Sequence, residues 1–188
     1  VGSDDRRGAC LAGRHVIDLG HRNIATVAGP QNSYTGRERL QGLKDACVER
    51  GIALRPDCVI ECPYTEEGNA RAEEEVRRLL REVPDITAVV CATDPFAFAA
   101  CDAARAVSRS VPGDLSIVGF ADFEQSRHLS PPLTTVHQPA AEIGRTAARL
   151  LLGRITARRT ERPAKPPETI LLPTHLVVRG STAPPGRP

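Results

Sequence analysis

Residues Val111 to Pro139, VPGDLSIVGFADFEQSRHLSPPLTTVHQP, decide how this chain is read. A Pro112-Gly113-Asp114 turn opens the stretch, and a short apolar strand from Leu115 to Phe120 follows it. The strand ends in a polar loop, Ala121 to Ser130. Pro131 and Pro132 lack the backbone N–H that regular structure needs and so interrupt it, and Leu133 to Val136 reads as a second short strand. An apolar strand that runs into a polar loop, within alternating strands and helices, is where an open α/β sheet holds its ligand.

The flanks repeat this alternation. Toward the N-terminus, Pro95 to about Ser108 reads as a helix capped by Thr93-Asp94, with proline at the first helical position it prefers. Thr87 to Ala92 is an apolar strand expected to be buried on both faces. Before it come a helix from Glu66 to about Val83 with Thr65 as N-cap, and a strand from Cys58 to Cys62. A helix from about Thr35 to Arg50 presents Leu40, Leu43, Cys47 and Val48 and stops at Gly51. Ile24 to Ala28 reads as a buried strand ending at Gly29-Pro30, and Cys10 to Leu19 as a helix tail stopped at Gly20. Toward the C-terminus, a helix is expected from Ala140 to Leu152, a Pro-rich charged loop over Arg158 to Pro167, and short strands at Thr169–Leu172 and His175–Val178. Such alternation predicts an α/β fold, a parallel sheet covered by helices on both faces.

Composition narrows the class. Of 188 residues 40% are hydrophobic and 26% charged, which suits a globular domain, and the net charge of +2 is too small to advertise nucleic acid or membrane as a partner. Only Lys44 and Lys165 among the 25 basic residues are lysines, a skew expected of a GC-rich genome. The six cysteines fall singly, without zinc-finger spacing, and read as reduced thiols on apolar faces. No metal or cofactor is expected. With no signal peptide or membrane-length apolar run, the reading is cytoplasmic, without a membrane partner. The first residue is Val1 rather than Met, so the native start is expected upstream.

Several motifs resemble, in order, those of the LacI/GalR family of bacterial transcription repressors. His15 to Ala25, HVIDLGHRNIA, is similar to that family's HLxxLGHRxIA segment. Gly29-Pro30, Arg39-x-x-Gly42, Thr93-Asp94 after a strand, Val111 to Phe120, Pro131 to Pro139, and Pro173-x5-Arg179-x-Ser181-Thr182 follow. The resemblance spans about residues 1–182. It implies a periplasmic-binding-protein-like core of two α/β subdomains joined by three crossovers, with a small effector between them. By it, 1–22 is a remnant of the N-terminal subdomain and 23–135 the C-terminal, effector-binding subdomain. Residues 136–172 hold a crossover and a helix of the N-terminal subdomain, 173–182 return to the C-terminal one, and 183–188 form a tail. The remnant's apolar helix faces lack partners within this chain, so it is expected to be poorly ordered, rearranged or covered by a neighbour.

Site residues carry over singly. Arg39 matches the family's effector-binding arginine, whose forked donors suit sugar hydroxyls or a carboxylate; a surface helix arginine is the plain alternative. Tyr64, one of two tyrosines in a chain without tryptophan, stands just past a strand, where the family places a ring against the ligand. Thr93 and Asp94 end a strand and face the cleft, although a helix cap alone accounts for Asp94. Asp122 follows Gly119-Phe120, but Ala121 occupies the position of the family's first acid, which puts a typical sugar effector in doubt. Asp4 matches the family's turn acid, and as a terminal acid it is expected to be solvated.

The resemblance implies the effector-sensing and dimerising region of a LacI-family regulator. Its sugar- or nucleoside-like ligand would alter operator affinity allosterically, through a homodimer whose helix-turn-helix lies upstream of Val1. A solute-binding protein of a transport system shares the fold and is the alternative. An enzyme would have to use Asp94, Asp122, Glu124 and His128, but no nucleophile elbow, phosphate loop or metal triad accompanies them, so none is expected.

Overall fold

Two apolar runs, Ile24–Ala28 and Ala88–Cys91, are buried along their whole length, as only interior strands of a sheet covered on both faces need to be. The computed structural model describes residues 1–159 and 168–186. In chain order the elements are β1 (Gly2–Ser3), α1 (Asp5–Asp18), β2 (Ile24–Ala28), α2 (Tyr34–Glu49) and β3 (Val59–Glu61). Then come α3 (Glu66–Glu82), β4 (Ala88–Cys91), α4 (Asp94–Ala106), β5 (Ser116–Ala121) and α5 (Gln125–His128). The last four are β6 (Thr134–His137), α6 (Ala140–Arg159), β7 (Leu171–Leu172) and β8 (His175–Val177).

The main sheet runs β3-β2-β4-β5-β6-β8, parallel throughout except for β8, which lies antiparallel against β6. Successive residues alternate between its faces. Val89 and Cys91 of β4 pack with Val76, Leu79, Phe96 and Ala100 of α3 and α4. Ala88 and Val90 pack on the other side with Ala9, Val16, Leu43 and Cys47 of α1 and α2. Gly42 lets those two helices meet, since a Cβ there would come within 2.1 Å of the Arg6 carbonyl oxygen. All six cysteines are unbridged, and burial pushes their thiols up.

Three local expectations change. Asp4, half-buried, does more than meet solvent: its carboxylate accepts from the Arg7 N–H at 3.1 Å and caps α1, a full helix rather than a tail. That helix lies on the main sheet, where its apolar stripe completes the core against α2. Helix α6 runs on past Leu152 to Arg159; residues 160–167 of the expected charged loop lie outside the described residues. Ala183, expected in the tail, is tied to Ser116 and His21 through its N–H and carbonyl.

A second, two-stranded sheet pairs β1 with β7 in parallel. It stands with α6 apart from the main core, and α6 leaves Leu151, Leu152 and Ile155 exposed. No helix among the described residues is long and apolar enough to cross a membrane.

Candidate functional site

Because β2 to β5 are parallel, their C-terminal ends and the helix N-termini that follow share one edge of the sheet. A cavity of about 640 Å³ opens there. Ser33, Thr35 and Arg39 line it from α2 and its cap, and Tyr64, Thr65, Glu66 and Asn69 from the start of α3. Thr93 and Pro95 contribute from the start of α4, and Phe123 from the loop after β5. The N-termini of α2, α3 and α4 therefore bring their positive dipole ends to one place. Ser33 and Thr65 cap their helices by accepting from Gly36 and Gly68 N–H groups, whereas Thr93 makes no side-chain cap.

Arg39 is almost fully buried yet reaches the cavity wall. Its Nε donates to Asp5 Oδ1 at 2.9 Å, Nη2 lies 2.8 Å from the same oxygen, and Nη1 donates to the Ala92 carbonyl at 2.6 Å. The guanidinium also lies 3.7 Å above the centre of the Phe120 ring. Tyr64 stacks on Phe96 with ring centres 5.8 Å apart, and burial pushes its phenol up, so the hydroxyl stays protonated as a donor. Its seat depends on Gly29, where a Cβ would come 1.9 Å from the phenol oxygen.

Of the sequence-expected residues, Arg39, Tyr64 and Thr93 meet in this cavity, whereas Asp94 and Asp122 do not line it. Asp94 is fully buried and accepts from Phe123 N–H, Ser126 Oγ and Thr135 Oγ1 at 2.7, 2.7 and 2.5 Å. It neither caps α4 with its side chain nor faces the cleft; it holds the loop after β5 against β6. Gly119 makes room for it, since a Cβ there would stand 2.3 Å from its carboxylate.

Asp122, at φ 59°, bonds Arg179 Nη2 at 2.5 Å and His137 Nδ1 at 3.0 Å. Burial pushes its carboxyl up, but Arg179 and His137 outweigh that and hold it below the usual range. It thus clamps the end of β5 to the end of β6, which leads into α6, and to the segment just after β8. Glu124 and His128, the other acid–base candidates, are exposed and lie 3.4 Å apart on the surface. Among the described residues no group of three or more His, Cys, Asp or Glu could hold a metal ion.

Sequence reasoning missed Phe123, Thr35, Asn69 and Glu66. Phe123 had a usable signal: it is one of four phenylalanines and, like Tyr64, follows a strand end. The small polar residues had none, because residues one to four places past an N-cap look alike whether or not a cavity lies above them.

The family model of the periplasmic binding protein-like domain matches residues 14–182. Among curated proteins, the HTH-type transcriptional regulator CelR of Thermobifida fusca is 40% identical over 96% of this chain and 51% of its own length. The HTH-type transcriptional repressor PurR of Erwinia tasmaniensis is 37% identical over 94% of this chain and 49% of its own. The chain thus spans about half the length of these relatives. Among solved structures, a transcriptional regulator CelR–cellobiose complex superposes with a TM-score of 0.86 at 38% identity, covering 95% of this chain and 52% of that one.

Proposed function

This chain belongs to the periplasmic binding protein-like domain family, and on that premise we propose that it is the effector-sensing region of a LacI-type transcription regulator. The carrying observation is the cavity itself: two half-exposed rings, Tyr64 and Phe123, with hydroxyl, amide and guanidinium donors at one sheet edge. Rings offer flat apolar faces to a sugar or base, and Thr35, Asn69, Thr93 and Arg39 offer hydrogen bonds to its oxygens and nitrogens. The ligand is a small sugar- or nucleoside-like molecule. Its contacts within this chain are Arg39, Tyr64 and Thr93, with Phe123 opposite; Asp94 and Asp122 hold the loop that carries Phe123.

The relatives named above are transcription regulators, which favours this reading over a solute-binding protein of a transport system. In it the protein works as a cytoplasmic homodimer, and operator DNA is held by a helix-turn-helix outside these 188 residues. The ligand acts by binding one arrangement of the two subdomains better than another, and the segments clamped by Asp122 transmit the difference.

Calorimetric titration with cellobiose, ribose, adenosine and guanine tests the reading. One of these should bind, and Arg39→Ala and Gly29→Ala, which dislodges Tyr64, should each weaken it about tenfold or more, the scale of one charged hydrogen bond or one well-seated ring. A ligand that binds all three proteins equally would place the site elsewhere.

A further inference from the structure

Two of the residues lining the cavity carry charge, Arg39 and Glu66, and the cation already has a partner. Asp5 does not line the cavity. It stands behind Arg39, as deeply buried as Arg39 is, with Oδ1 facing both Nε and Nη2. The same oxygen accepts from Ser3 Oγ at 3.1 Å, and Ser3 Oγ in turn accepts from Gln138 Nε2 at 2.9 Å. The carboxylate is thus anchored from both the β1 and the β6–α6 segments and is not free to swing away when a ligand arrives.

We propose that Asp5 is a specificity-determining residue: by neutralising Arg39 from behind, it makes the cavity accept uncharged ligands and reject anions. This rests on the ligand-cavity reading above. A guanidinium this buried needs a counter-charge, supplied by either ligand or protein. Here the protein supplies it. An anionic ligand would have to share Arg39 with Asp5, setting two negative groups on one cation where little water screens them. Glu66, with no ion-pair partner among the described residues, adds a third negative group at the rim. The converging N-termini of α2, α3 and α4 attract ligand oxygens, but each does so weakly beside a full charge, and Glu66 sits on one of them. An uncharged hydroxyl or carbonyl needs only a guanidinium N–H that Asp5 and Ala92 leave free, and the group carries more donors than those two engage.

Inorganic phosphate is the probe, titrated into the wild-type chain and Asp5→Asn at ionic strength matched with chloride. Binding is read from the Arg39 Nε–H resonance in a nitrogen–proton correlation spectrum and from the melting temperature. Asp5→Asn should bind phosphate about tenfold or more tighter than wild type, the scale of one newly available charge-assisted hydrogen bond, and Asp5→Asn/Arg39→Gln should lose that gain. Equal phosphate affinity in wild type and Asp5→Asn overturns the proposal. Should Asp5→Asn fail to fold, the wild-type titration decides: a phosphate-specific rise in melting temperature with a shifted Arg39 resonance overturns it, and no response supports it. The neutral-ligand titrations above fail independently. A phosphate gain in Asp5→Asn with no neutral ligand bound to wild type would sink the sensor reading and leave the role of Asp5 standing.

Discussion

Helices α4 and α6 are both alanine-rich, yet their surroundings differ completely. In α4, Phe96, Ala97, Ala100, Ala103 and Ala104 are all fully buried between α3 and the sheet. In α6, Leu151 and Leu152 are 60% and 63% exposed and Ile155 42%. Helix α4 has the higher share of apolar residues, and it also has α3 and a sheet within reach to bury them against. Most helical stability in proteins comes from packing an apolar face rather than from propensity, so α4 is held by the fold and α6 holds little of it in return.

Substitutions on the two sides can break or sharpen that contrast. The largest effect belongs to Asp94, at the N-terminus of α4, whose loss leaves three donors without their acceptor. Asp94→Ala should destabilise by about 3 kcal/mol or more, since each orphaned buried donor costs about 1–3 kcal/mol, and a urea midpoint would show it. A midpoint within error of wild type would mean that this network is not formed in solution.

A smaller effect concerns His21, at the far end of the same core. Its Nε2 reaches the Ala183 carbonyl and Nδ1 the Thr87 hydroxyl, and burial lowers its pKa below the ordinary value. The unfolded chain, with histidine near 6.5, then takes up the proton before the folded one. Stability should therefore be level above about pH 6.5 and fall as pH drops toward the lowered folded value. His15, also lowered by burial, adds to the slope. Melting temperatures between pH 5 and 8 would report it, and His21→Gln should flatten part of the decline.

The smallest effect is on α6. Leu152→Ser should change stability by no more than about 0.5 kcal/mol, as exposed positions do. A loss of about 2 kcal/mol in the same urea experiment would show α6 packed in solution, and the contrast with α4 would fall.

Much of the main sheet could be read in advance. The apolar runs around Val27, Val89 and Ile117 became β2, β4 and β5, and Thr65 capped α3 as its position before Glu66 suggests. The cavity was legible in part: Arg39, Tyr64 and Thr93 reached it, each standing near a strand end or a helix start. Asp94 and Asp122 also stood at strand ends, yet turned inward, because a buried or half-buried carboxylate goes where donors are, and Ser126, Thr135, Arg179 and His137 were there to supply them. The two residues of β1 carry no periodicity to read, and they form a strand only because Leu171–Leu172 lies alongside.

By itself the order of residues determined the alternation of strands and helices, and with it the sheet edge where a ligand can sit, because burial periodicity and helix caps are local properties. Only the tertiary structure decided that Arg39 would meet Asp5, 34 positions away, and that Asp94 would serve the scaffold rather than the cavity. Partnership between charged groups depends on which side chains the packed helices bring within about 3 Å of each other, a distance that no local pattern encodes.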